Sequence, residues 1–191
     1  MINFWIGCDS GTKGGITFFD SSRRIITAVP IPHKRVKKLT GGSNGEIDFD
    51  KLRKIFDDVI GAGMDRRDVI ACIERVHATA FGAISNFSMG KEIGSMIALF
   101  HTRGFRVVLL PMDGNASWQT MIFGKGVKSS DKSRSLRLAR KLYPEHAHLL
   151  RTARGKDLDG VSDSMLIGRA GQLKVKKLLN IKKRLKKQAK V

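Results

Sequence analysis

This chain is short of cysteine, proline, tyrosine and acid, and it has no long apolar run. Two cysteines in 191 residues exclude a disulfide scaffold, and five histidines at unrelated spacings do not complete a zinc module around them. Cys8 and Cys72 each lie inside an apolar run, so both read as buried free thiols suited to a reducing compartment. No uninterrupted apolar stretch reaches the roughly 20 residues that cross a bilayer, so no membrane partner is expected. The opening MINFWIGCDSG has neither a basic n-region nor a small-residue cleavage pattern, so it does not read as a secretory leader.

The shortage of acid matters most. Asp and Glu number 17 against 36 Lys and Arg, a formal net charge of +19. Such a chain is drawn to polyanions, because neutralised phosphates release their condensed counterions. A carboxylate facing a phosphodiester costs energy, so acids kept together in a basic chain need a reason. Four of them, Asp9, Glu74, Asp159 and Asp163, fall at what read as element ends. Divalent metal reverses the local sign of charge and supplies that reason.

The length suits one domain of roughly 100–200 residues. INFWIGC (2–8) reads as a strand broken by the turn residues from Asp9 to Gly15. Short apolar runs at 16–19 and 25–29 follow as two more strands. The segment 33–45, HKRVKKLTGGSNG, is basic and then Gly/Ser-rich. It reads as a mobile loop whose Lys34, Arg35, Lys37 and Lys38 suit phosphate contact. Asp48 is placed to cap a helix over 49–61. A strand over 69–73 then ends at Glu74, a helix spans 83–103, and a strand over 105–110 is closed by Pro111. Shorter helices are expected at 115–123 and 131–142, and a last one starts near Asp159 and runs toward the basic tail. A meander followed by two crossovers gives an α/β fold, a mixed sheet with helices on both faces. Residues 1–173 form the domain and 174–191 a basic amphipathic tail with nine Lys/Arg and no acid. Lys182, Lys183 and Arg184 within it are candidate DNA contacts.

Asp9 and Glu74 each follow a strand, where α/β sheets line their functional crevice. Asp159 and Asp163 are four apart and share one helix face. Four carboxylates can hold two ions, a geometry suited to phosphodiester hydrolysis. Asp157 reads as a decoy or a supporting acid.

The segments IGCDSGTKGGITFFD, ACIERVHA, SSDKSRSLRLARKLYP and LDGVSDSMLIG resemble, in order, the motifs of RuvC-type Holliday junction resolvases, closest to the phage and organellar branch. That resemblance covers residues 3 to about 170. It implies a ribonuclease H-like fold with a five-stranded mixed sheet, a homodimer, two Mg²⁺ per site (Mn²⁺ able to substitute), and paired nicks in four-way DNA junctions. It makes Asp9, Glu74, Asp159 and Asp163 the metal-binding catalytic quartet. Lys132 resembles the lysine near the scissile phosphate, with Lys128 as the other candidate. His77, three residues after Glu74, resembles a side chain that probes the junction, and its alternative is a surface histidine. Lys13, Lys125, Lys128 and Arg134 complete the expected DNA contacts. Trp118 reads as core, and His146 and His148 as surface. The helix at 83–103 is expected to expose Gly90, Gly94 and Ser95 beside Phe87, Met89 and Met96 for close pairing across a two-fold axis. The expected setting is the cytoplasm of a bacterial or phage-infected cell.

Three rivals share parts of this pattern. The turn DSGTKGG also resembles the phosphate loop of the actin and sugar-kinase superfamily, which needs two such domains and more residues. A less specific branched-DNA or flap nuclease, in replication or phage packaging, would use the same four acids. A non-catalytic nucleic-acid binder would leave the acids unexplained.

Overall fold

The computed structural model describes residues 2–37, 43–61, 65–75, 82–125 and 133–188. Strand β1 (Phe4–Asp9) alternates its side chains between two faces of the sheet, Trp5 to one and Ile6 and Cys8 to the other. Strands β2 (Gly15–Asp20) and β3 (Ile25–Pro30) continue the expected antiparallel meander. Next come β4 (His33–Lys37) and β5 (Ser43–Ile47), then α1 (Phe49–Ile60). Strand β6 (Val69–Arg75), helix α2 (Ala83–Thr102) and strand β7 (Arg106–Pro111) form the second crossover. The chain ends with α3 (Trp118–Phe123), α4 (Ser133–Leu142) and α5 (Asp159–Gln188).

The main sheet runs β3-β2-β1-β6-β7, with β1, β6 and β7 mutually parallel. It is the five-stranded mixed sheet of an α/β fold, as expected. Parallel neighbours need crossover connections, and here helices supply them. On one face α1 and α2 cover the sheet, where Phe56 sets its ring edge-on against Phe18, Phe100 and Phe105. On the other face α3, α4 and α5 bury Trp5, Phe19, Ile70 and Cys72. Both cysteines are free and buried, and burial pushes the Cys72 thiol up to about 12. Among the described residues no helix is long and apolar enough to cross a membrane.

One expectation is corrected. The segment 33–45 is not a loop throughout, because β4 and β5 pair as a separate antiparallel hairpin. Val36 is the sole apolar residue of β4, so composition gave no strand signal. Main-chain pairing and the burial of Ile31 and Ile47 at its base hold the hairpin instead. Asp48 caps α1 as expected, its Oδ1 accepting from the Lys51 N–H at 3.2 Å. Helix α3 begins three residues later than the sequence suggests, where Ser117 Oγ accepts from the Thr120 N–H at 3.0 Å. The tail does not form a separate element within its described residues. One unbroken helix, α5, carries the chain from Asp159 to Gln188.

Candidate active site

The sheet register sets the first two acids side by side. Cys8 is level with Ile73 on the parallel strand, so Asp9 and Glu74 follow at the same edge. Glycine brings the third and fourth to them. Gly14, in the turn after Asp9, bridges to Gly160 in the first turn of α5, and a Cβ on Gly160 would sit 2.6 Å from Gly14 Cα. Only a bare Cα at 160 lets the helix start press against that turn. Further along, a Cβ on Gly7 would come 2.6 Å from the Gly168 nitrogen, so α5 lies directly on β1. A buried 2.6 Å bond between Thr17 Oγ1 and Ser164 Oγ fixes the helix rotation beside Asp163.

Burial and mutual repulsion then set the charge state. Burial pushes the Asp9 carboxyl up to about 6; the Gly11 N–H opposes the rise, and Glu74 and Glu92 add to it. Burial also raises Glu74, against the Trp118 indole and with help from Asp163. Asp163 rises to about 7, again by burial first, with a Ser135 hydroxyl bond opposing and Asp9 and Asp159 adding. Asp159, exposed at the mouth of α5, acts on Asp163 from one helical turn away. Asp9, Glu74 and Asp163 are therefore linked by their charges, and Asp159 joins them through Asp163 alone.

Carboxylate oxygens are the donor set of a hard divalent cation. Asp163 Oδ1 fits that reading, because it is buried and has no hydrogen-bond partner among the described residues. Among the described residues no three His, Cys, Asp or Glu side chains are gathered into a finished ion cage. The fit lies in donor chemistry and charge, not in a preset geometry.

Solved structures with a similar course of chain include a Thermus thermophilus RuvC structure, at 11% identity over 87% of this chain and 93% of that one, TM-score 0.47. Another is T. thermophilus RuvC in complex with a Holliday junction substrate, at 9% identity over 87% and 91%, TM-score 0.45. No protein-family model and no curated protein sequence matches the chain.

Three side chains at the site were not singled out for it by the sequence. Trp118 is core, as expected, at 2% exposure, yet its Nε1–H also donates to Glu74 Oε1 at 2.5 Å. Ser135, on α4, bonds Asp163. Glu92, on α2, is near enough to act on Asp9 and is itself flanked by His33 and Lys91. A buried indole needs an acceptor, which is the one sequence signal that pointed past packing for Trp118.

The remaining expectations fall as follows. Asp157 is held by Arg140 Nη2 at 2.7 Å and Arg151 Nε at 3.0 Å, a peripheral ion pair, in keeping with its reading as a decoy. Lys13 is exposed in the turn after Asp9, while Lys34, Arg35 and Lys37 are exposed on β4. Lys125 and Lys182 are also exposed, and Arg134 lies over the Phe123 ring at 3.4 Å. Lys38, His77, Lys128 and Lys132 lie outside the described residues, as do the side chains of Lys183 and Arg184. On α2, Gly90 and Gly94 face open space and Phe87 is 76% exposed, but Met96 is fully buried. The expectation that Met96 joins the exposed face is therefore corrected. It falls on the same helical stripe as Phe100, which the sheet covers.

Proposed function

We propose that this chain is a divalent-metal-dependent endonuclease acting on branched DNA, with the four-way junction as its substrate. The observation that carries the reading is the set of charge-coupled carboxylates on β1, β6 and α5, one oxygen of them buried and without a partner among the described residues, in a chain of net charge +19. Asp9, Glu74, Asp159 and Asp163 would hold Mg²⁺, with Mn²⁺ as a substitute. When bound, the ions supply an activated water and stabilise the leaving oxygen of an in-line phosphodiester displacement.

The chain's own groups orient that set. The Gly11 N–H points one Asp9 oxygen, the Trp118 indole fixes one Glu74 oxygen, and Ser135 holds Asp163. Lys13 and the β4 cations give the backbone a positive approach, and Lys132 or Lys128 is proposed beside the scissile phosphate. A junction is close to two-fold symmetric, so a homodimer paired through the open face of α2 would present two sites to it. Two buried free thiols suit a cytoplasmic setting.

Asp9→Asn and Glu74→Gln are each expected to lower Mg²⁺-dependent cleavage of a synthetic four-way junction by about a hundredfold or more, since even supporting residues of metal sites cost 10–100-fold. Junction affinity should hold, because the basic surface is untouched. Undiminished cleavage by either variant would sink the assignment. Linear, Y-shaped and nicked duplexes run in parallel separate the two nuclease readings. Equal cleavage of all of them selects the less specific nuclease, which the same four acids would also serve.

A further inference from the structure

Beside the acid site, between the β4–β5 hairpin and α2, lies a cleft of about 470 Å³ that no role so far uses. That volume falls within the range of small-ligand pockets, roughly 300–1,000 Å³. Its walls mix aromatic and polar groups: Phe49 and Phe87, the hydroxyls of Thr12 and Ser95, the Glu92 carboxyl, and Lys34. The Lys91 ammonium bonds Glu46 Oε1 at 2.7 Å and so ties the helix to the hairpin across it. The cleft neighbours the site: Thr12 on its wall belongs to the turn whose Gly11 N–H bonds Asp9, and Glu92 is near enough to act on that acid.

Phosphate binding alone does not call for this lining. Two aromatic rings, one of them 76% exposed, offer a stacking surface that every base can use through its π-face. A carboxylate among hydroxyls is the partner of an exocyclic amine, as Glu and Asp are for cytosine N4. We propose that the cleft is a base-binding subsite, which takes one unstacked amino-bearing base of the DNA strand and reads it through Glu92. The proposal rests on the branched-DNA reading, since junction centres supply bases with fewer stacking partners. It adds a sequence preference to a nuclease whose acids see only the backbone.

The test uses the full chain and a set of four-way junctions, each carrying 5-iododeoxycytidine at a single position, with that position scanned across the branch point. The complexes are irradiated without divalent ion and mapped by peptide mass spectrometry. One position is expected to cross-link to the peptides holding Phe49 or Phe87. Ser95→Phe, which fills the cleft, and Glu92→Gln, which removes the charge, should each lower that cross-link about tenfold, the scale of losing one stacked or paired base. Total junction binding of Glu92→Gln and the melting temperature of both variants should stay near wild type. Cross-links confined to other peptides, or a signal unchanged in both variants, overturn the subsite. Neither result touches the nuclease assignment, which stands or falls separately on Mg²⁺-dependent cleavage of the same junction.

Discussion

In the folded chain the Asp163 carboxyl keeps its proton up to about 7, whereas an ordinary aspartate ionises near 3.8. A raised carboxyl contributes stability that is full below the ordinary value and is lost as pH climbs through the folded one. The ion-free protein should therefore lose about 2–3 kcal/mol from this group between pH 4 and 7, after allowance for its partial exposure. Asp20, Asp57, Asp65 and Asp157, each paired with arginine and shifted down, change stability in the opposite sense at lower pH. The difference between wild type and Asp163→Asn isolates the effect. Above pH 7, without divalent ion, the variant should melt about 4–12 °C higher than wild type. Below pH 4 the two should coincide, and Mg²⁺ should raise only the wild type. A pH-independent difference would remove the account of a buried, repelled carboxyl. That Asp9 and Glu74 are neighbours was legible because each ends an apolar run, and that Asp163 joins Asp159 followed from a four-residue step. Trp118, Ser135 and Glu92 were not legible as their partners. They lie 44, 28 and 83 residues from the acids they touch or act on, and only the fold sets that distance aside.

At the scale of elements, the contact between the start of α5 and the turn after β1 decides whether the acids meet. Gly160→Ala sets two effects against each other. Alanine favours a helix interior over glycine by about 1 kcal/mol. Its Cβ, however, would meet the Lys13 and Gly14 backbone, which cannot swing aside as a side chain can. Overpacking costs about 1–3 kcal/mol and sometimes more, so the loss should win. The variant is expected to melt lower and, because Asp159 and Asp163 move with the helix start, to lose most cleavage even at temperatures where it is folded. Gly90→Ala is the control, since open space surrounds it, and it should stabilise α2 by about 0.5–1 kcal/mol. Equal melting temperatures for Gly160→Ala and wild type would show that the close approach is not needed. The main elements were readable because apolar runs bounded by turn residues mark the strands, β1 among them, and apolar residues at helical spacing mark α2, though which face Met96 takes was not. The β4–β5 hairpin was not, since its pairing is main-chain to main-chain and its side chains carry no alternation.

For the whole molecule, a net charge of +19 works against the homodimer proposed above. Two such chains repel, so the open face of α2 must outweigh that repulsion through close packing around Gly90 and Gly94. Screening then favours association instead of weakening it. Without DNA, the dimer fraction in sedimentation velocity should rise as salt increases from about 0.05 to 0.5 M, because the Debye length falls several-fold over that range. A junction should promote the dimer even at low salt, since its phosphates neutralise both partners at once. Gly94→Trp places a large ring where a partner helix would come, at a position whose Cβ would meet none of the described residues within 4 Å, so the fold should survive with an unchanged melting temperature. The variant should stay monomeric at all salt concentrations, bind junctions more weakly, and convert paired nicks into single, uncoordinated ones. A dimer that formed equally well in Gly94→Trp would move the interface off this face. A wild type that dissociated as salt rose would mean that ion pairs, not close helix packing, hold the two chains together.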